Sequence, residues 1–387
     1  MKVAIVMPRF GEHLSGGAEL LGRWFAERLS ERGDVVDVFT TCATDNIHWR
    51  NDVEPGTEQY GRVRVMRFPL GPRDTDLFNE LDGTMRQGFD LGDDMELVWL
   101  RNHAASEELE DELYSRADDY DVILALPYLF GTTYFAYETC PDKTVLIPCL
   151  HDEPAAHTRF VRRMLSEVRG IIFNSDAEAR LARRLVPTLA PWATVGVGVE
   201  RNEEPAPKGR RRPSAPSILY VGRREVHKNY PLMVEYFTRY KARRPSDLQL
   251  VFAGGAGGPL PERDDVAYVE PDWGTLDVYR DATIFCHPGV NESFSIVLLQ
   301  AWLAETPAIV HAECDPTREH CERSNGGLWF RSYPEFETIL DRLLASPDLC
   351  AKLGANGRAY VEREFSWDAV LKRFDAAIER LLSERAA

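Results

Sequence analysis

The sequence predicts an α/β protein built from two doubly wound, Rossmann-like domains. Three observations carry that reading. The chain has 387 residues, more than one hydrophobic core usually holds, so two domains are expected. Short continuous apolar runs alternate with amphipathic stretches, the strand-helix-strand order that builds a parallel sheet. Between residues 201 and 217 the alternation stops in RNEEPAPKGRRRPSAPS, rich in proline and charge and free of apolar periodicity, and afterwards it restarts.

KVAIVMP is an apolar run ending on a proline, as a strand buried on both faces would be. AELLGRWFAERLSERG follows as a helix. Its Leu20, Leu21, Trp24, Phe25 and Leu29 recur at helical spacing, and Gly33 stops it. DVVDVFTT and RVRVMRFP read as the next strands, and a mostly helical stretch runs from about Asp90 to Asp118. DVILALP, TVLIPCLH and GIIFNS supply three more strands. Past the linker, SILYVG, LQLVFAGG, VAYVEP, ATIFCHPG and PAIVHAE are strands, while NYPLMVEYFTRYKARR, SFSIVLLQAWLAE and FETILDRLLAS are helices. Ligands in such sheets bind at the carboxyl ends of strands, so the active site is expected in a cleft between the two domains.

The composition, 44% hydrophobic and 28% charged, is that of a globular protein. With 46 basic against 62 acidic side chains the formal charge is −16, which repels phosphate backbones and excludes nucleic acid as a general partner. No stretch approaches the roughly 20 apolar residues of a membrane span, so no transmembrane segment is expected. The start, MKVAIVMPRFGEH, lacks the pattern of a secretory signal. Seven scattered cysteines point to a reducing, cytoplasmic setting. His311, Cys314, His320 and Cys321 cluster in sequence but match no common zinc spacing, so no metal site is expected there. Lys208, Arg210, Arg211 and Arg212 read as a solvated linker, with peripheral contact to an anionic membrane face left open.

Three stretches stand where a site would form. SGGAE, Ser15 to Glu19, opens the first helix. Gly16 and Gly17 allow close backbone approach to a ligand at a helix N-terminus, and a plain tight turn is the alternative. YVGRREVHKN, Tyr220 to Asn229, follows a strand. There Gly222 precedes Arg223 and Lys228, two cations able to clamp a diphosphate or simply to sit in solvent. In HPGVNESFSIVLLQAW, Glu292 precedes a helix expected to begin near Ser293. A carboxylate suits the positive end of a helix dipole, or it completes a site for an anion or sugar. Gln300, on the same expected helix, would lie roughly 12 Å further along its axis.

In their order and spacing these motifs, with HDEP at His151, FNSDAEARLAR, VGVGVE, TPAIV, NGGLWF and FSWDAVLKRF, resemble the retaining glycosyltransferases of family 4. The resemblance covers nearly the whole chain. It implies the GT-B fold, two Rossmann-like domains facing across a cleft. Residues 1–200 would be the acceptor domain and 213–369 the nucleotide-sugar donor domain, with the C-terminal helix of residues 370–387 packing back on the first. Gly16 and Gly17 would approach the donor diphosphate or acceptor, and Arg223 and Lys228 would hold the diphosphate. Glu292 matches the first acid of the family's Glu, seven residues, Glu motif, which contacts sugar hydroxyls. Ser293, Phe294 and Ser295 follow it and would join the donor contacts, the serines standing where the family has glycines, and Gln300 replaces the second acid, at the donor ribose. His151 matches the histidine beside the reacting sugar.

The implied reaction moves a sugar from a UDP- or GDP-linked donor to an acceptor hydroxyl with retention. No metal or other cofactor is needed if two cations neutralise the leaving diphosphate. Acceptor contacts, to a glycan, lipid or small molecule, are expected from residues 43–60 and 70–95. A nucleotide-sugar 2-epimerase, a sugar phosphorylase and a non-catalytic glycan-binding protein share the fold and stay open; the last draws on Gln300. A dinucleotide oxidoreductase is set aside because neither glycine turn has its spacing.

Overall fold

The computed structural model describes residues 1–14, 16–200, 215–255, 257–270 and 276–383. Ser15 and the linker with its basic cluster, through residue 214, lie outside the described residues. The chain divides into two compact units, Met1–Gly196 with Lys372–Ala387, and Val197–Leu371.

The first unit is built on β1 (Lys2–Val6), β2 (Val35–Thr41), β3 (Gly56–Tyr60), β4 (Val63–Phe68), β5 (Val122–Ala125), β6 (Thr144–Leu146), β7 (Gly170–Phe173) and β8 (Trp192–Thr194). They form one sheet in the order β3-β4-β2-β1-β5-β6-β7-β8. Every neighbouring pair is parallel except β3 with β4. The central strands are the continuous apolar runs of the sequence and are covered on both faces, as parallel strands must be. β3, GTEQY, has no apolar pattern to announce it. It is an exposed edge strand folded onto β4 across Gly61 and Arg62, with Tyr60 opposite Val63 and Gly61 at φ +57°.

The helical stretch after Asp90 is two helices, Asp93–Arg101 and Glu107–Arg116, separated at Ala104, which has φ +58°. Among the helices that the sequence reading did not name are Thr75–Arg86, Gly131–Thr139 and Arg159–Glu167. Asp74 caps the first by accepting from Leu77 N at 3.0 Å. From Lys372 onward the last helix, Trp367–Ser383, belongs to the first unit. There Phe374 meets Phe25 at 5.4 Å between ring centroids, and Leu381 fills the space left by Gly170, where an added Cβ would lie 2.9 Å from its methyls.

In the second unit β9 (Ser217–Val221), β10 (Gln249–Ala253), β11 (Val266–Val269), β12 (Ile284–His287), β13 (Ala308–His311) and β14 (Gly327–Phe330) form a parallel sheet. Its order is β11-β10-β9-β12-β13-β14. The chain runs outward from β9 in one direction and from β12 in the other, so the crevice between them is the switch point at which open α/β sheets bind ligands. The corresponding point of the first unit lies between β1 and β5. One expectation is corrected here. The helix carrying Gln300 is Ile296–Leu303 and does not begin near Ser293. Ser295, at φ +79°, breaks the path before it, so Glu292 is not on that helix and its separation from Gln300 is not a helical rise.

Candidate active site

Lys228 and Glu292 come together at the switch point of the second unit. β9 is followed by Gly222, whose φ of +145° turns the chain out of the sheet. Gly254, after β10, has φ +125°, and an added Cβ would lie 2.6 Å from Gly222 O. Two glycines are therefore required for the strand ends to approach. The chain then runs through a short 3-10 turn, Val226–Lys228. Lys228 Nζ donates to Glu292 Oε1 at 2.7 Å, with the two side chains 24% and 13% exposed. Glu292 hangs from the loop after β12, and His287, the last residue of that strand, brings Nε2 to 3.1 Å from the same oxygen. Neither His287 nor this convergence on one carboxylate oxygen was read from the sequence. Their only signal was a histidine at a strand's carboxyl end.

Arg223 is 46% exposed and pairs with Glu225 at 2.7 Å. Burial raises the Glu225 carboxyl, but His227, Arg223 and Lys228 outweigh it and hold the group below its ordinary range. Tyr220 OH donates to Arg223 O at 2.8 Å and fixes the turn. Gln300 is partly buried, and its Oε1 accepts from Tyr279 OH at 2.9 Å. Phe294 differs from its expected role as a donor contact. Its ring is 3% exposed and packs edge-on against His320 and Phe365, at 5.0 and 5.1 Å between centroids. Ser293 and Ser295 are buried beside it, and Ser295 Oγ has no hydrogen-bond partner among the described residues.

The remaining expected residues lie in the first unit. Gly16 is the N-cap of the helix Gly17–Glu31 and makes no side-chain cap. Among the described residues a Cβ at Gly17 would meet nothing within 4 Å, whereas one at Gly16 would run into the Glu19 carboxylate. His151 stands on the loop after β6, its Nδ1 3.6 Å from Glu153 Oε1. Glu153 also accepts from the buried Tyr128 OH at 2.7 Å. Burial raises the Glu153 carboxyl, yet His151, Tyr128 and Arg86 hold it below its usual range.

A second carboxylate shapes this loop. Glu178, wholly buried, accepts from Leu150 N at 2.6 Å and Asn174 N at 2.5 Å, while its own N–H donates to Ser175 Oγ at 3.1 Å. Ser175 and Glu178 thus form a capping box that reaches across to the residue before His151. Two cavities of about 570 and 240 Å³ open beside Glu153, which lines both, as do Met85, Arg86 and Pro154. Ile47, Trp49 and Arg73 line the smaller and Phe89 and Asp90 the larger. These residues fall in the two segments expected to carry acceptor contacts. Cys314 and Cys321 are buried, and His320 Nδ1 lies 3.0 Å from Tyr360 OH. Among the described residues no three His, Cys, Asp or Glu side chains gather as a metal site, and no helix is long and apolar enough to cross a membrane.

Residues 202–360 match the family described as Glycosyl transferases group 1. The D-inositol 3-phosphate glycosyltransferase of Saccharomonospora viridis is 24% identical over 413 residues, covering 94% of this chain and 90% of the relative. Among solved structures, sucrose-phosphate synthase from Thermosynechococcus elongatus superposes with a TM-score of 0.71 at 19% identity, over 99% of both chains. Anabaena HepE in complex with UDP and glucose does so with a TM-score of 0.68 at 16% identity, over 99% of this chain and 100% of that one.

Proposed function

Because this chain carries a glycosyl transferases group 1 domain and is a glycosyltransferase of the GT-B fold, we propose that it moves a hexosyl unit from a nucleotide sugar to an acceptor hydroxyl with retention at the anomeric carbon. The observation that carries the reading is the Lys228–Glu292 pair, 2.7 Å apart at the switch point of the second sheet. A diphosphate leaving group gains charge as the glycosidic bond breaks, and a cation already positioned there stabilises that charge without reorganisation. Lys228 fills this role, with Arg223 beside the same strand end. Lys228 exchanges its carboxylate partner for the diphosphate, leaving Glu292 to accept from the sugar hydroxyls, for which an ionised carboxylate is a strong acceptor. With two cations serving the leaving group, no metal takes part.

A UDP-linked donor is the first choice, supported by the UDP and glucose bound to the structural relative; GDP-linked donors are the second. The acceptor belongs to the first unit, beside Glu153 and the two cavities, with His151 near the reacting sugar. The relative named for D-inositol 3-phosphate makes a small cyclitol phosphate one acceptor to try, alongside neutral glycosides and lipid-linked sugars.

Release of nucleoside diphosphate is measured across UDP- and GDP-sugars with that acceptor panel, with and without a chelator. Acceptor-dependent release that survives the chelator is expected. Binding of nucleotide with no release from any pair would instead mark a non-catalytic glycan-binding protein. A donor epimerised in the absence of acceptor would mark an epimerase.

A further inference from the structure

We infer that His287 is a positioning residue for this reaction: it holds the Glu292 carboxylate in place while Lys228 leaves it for the donor diphosphate. The inference rests on the roles proposed above for Lys228 and Glu292.

Two donors converge on one oxygen. Lys228 Nζ is 2.7 Å and His287 Nε2 3.1 Å from Glu292 Oε1. An ionised carboxylate only accepts, so the imidazole turns a protonated Nε2 toward it. The two donors differ in freedom. Lys228 reaches in from a 3-10 turn on a four-carbon stem. His287 closes β12, paired in register with Val310, and is 5% exposed. Gly289 makes room for its ring, since a Cβ there would lie 2.9 Å from the imidazole Cε1. Among the described residues His287 Nδ1 is buried without a hydrogen-bond partner, so Glu292 is the polar partner that accounts for the ring's position.

One carboxylate thus has a fixed donor and a movable one. An incoming diphosphate competes for the movable one, because charge-assisted contacts to phosphate are strong and Lys228 can follow them. The imidazole stays and keeps a largely buried carboxylate satisfied and aimed. Without it, Glu292 loses its orientation and draws Lys228 back from the leaving group.

The test compares His287→Leu, His287→Gln, Glu292→Gln and the double variant H287L/E292Q in steady-state turnover, with nucleoside diphosphate affinity measured separately. His287→Leu is expected to lower kcat about tenfold, the loss of one hydrogen bond to a charged group, with a smaller change in KM for the donor. His287→Gln, whose amide N–H can reach the same oxygen, is expected to recover most of that rate. In the double variant the loss is no greater than in Glu292→Gln alone, because the two residues act as one unit.

If Leu lowers the melting temperature by more than about 5 °C, Asn replaces it, being polar but too short to reach Glu292. A His287→Leu enzyme with undiminished kcat beside a crippled Glu292→Gln would overturn the inference alone. So would losses that multiply in the double variant, or a folded Gln variant as slow as Leu. Full activity in Glu292→Gln would overturn the underlying reading of the site and this inference with it.

Discussion

Lys228 and Arg223 carry the same charge in different surroundings, and that difference grades their expected effects. Lys228 is mostly covered and bound to Glu292, while Arg223 is nearly half exposed and bound to Glu225. Lys228→Ala should lower kcat by roughly a hundredfold, as loss of one anion-stabilising donor does elsewhere. The fold should persist, because His287 still donates to Glu292. Arg223→Ala should act in the same direction and less strongly, since solvent screens an exposed cation. Near-normal rates in both would remove the diphosphate clamp.

Gln300 offers a second test at this scale. Its oxygen already accepts from Tyr279 OH, which leaves one acceptor position and the NH₂ group for any ligand. Gln300→Glu would leave one carboxylate oxygen on Tyr279 and offer the other to a ribose hydroxyl. Nucleoside diphosphate binding should tighten by about 1 kcal/mol, and titration calorimetry showing no change would place Gln300 away from the ribose. Lys228 and Glu292 were legible as candidates in the sequence because each stands in a loop that follows an apolar strand run, and His151 through its match to the family's motif. His287 was not, because its role depends on contacts to Glu292 and, through it, to Lys228 far away in the chain.

At the scale of elements, the glycines separate structural need from ligand need. Gly254→Ala forces a side chain at φ +125° against the Gly222 carbonyl and should cost about 2 kcal/mol or more of stability. Gly17→Ala meets open space at a helix start, so stability should hold or rise slightly. Its activity should fall all the same if a ligand approaches that backbone. Activity kept in a stable Gly17→Ala enzyme would remove Gly17 from the site.

The loop carrying His151 gives a pH test. Glu153 is held below its usual pKa by His151, Tyr128 and Arg86 against its burial. A depressed carboxyl contributes stability that is complete above its unfolded pKa of about 4.3 and is lost as the pH falls further. Urea unfolding of Glu153→Gln should therefore show a shallower loss of stability below about pH 5 than the parent enzyme; equal slopes would mean that Glu153 is not so paired. The sequence concealed one strand and misplaced one helix start for physical reasons. β3 buries no apolar face to give a period, and the helix after Glu292 starts late because Ser295 takes a left-handed conformation that a non-glycine residue rarely signals.

For the molecule as a whole, apolar strand runs and alternation were enough to read two α/β halves, since burial on both faces of a parallel sheet leaves that mark directly in the sequence. The cavities beside Glu153 were only partly legible. Their walls come from separate segments, near residues 47, 86, 96 and 157, and no local pattern predicts that these will meet. The central claim is that the second unit's switch point is where a nucleotide sugar is held and activated, with Glu292 touching the sugar. The most direct measurement is nucleoside diphosphate release by Glu292→Gln beside the parent enzyme, with nucleoside diphosphate affinity measured on both. The account predicts turnover lower by about a hundredfold or more with nucleotide affinity within a few-fold of the parent, since the lost contact is to the sugar. Parental turnover in a folded Glu292→Gln enzyme would contradict it.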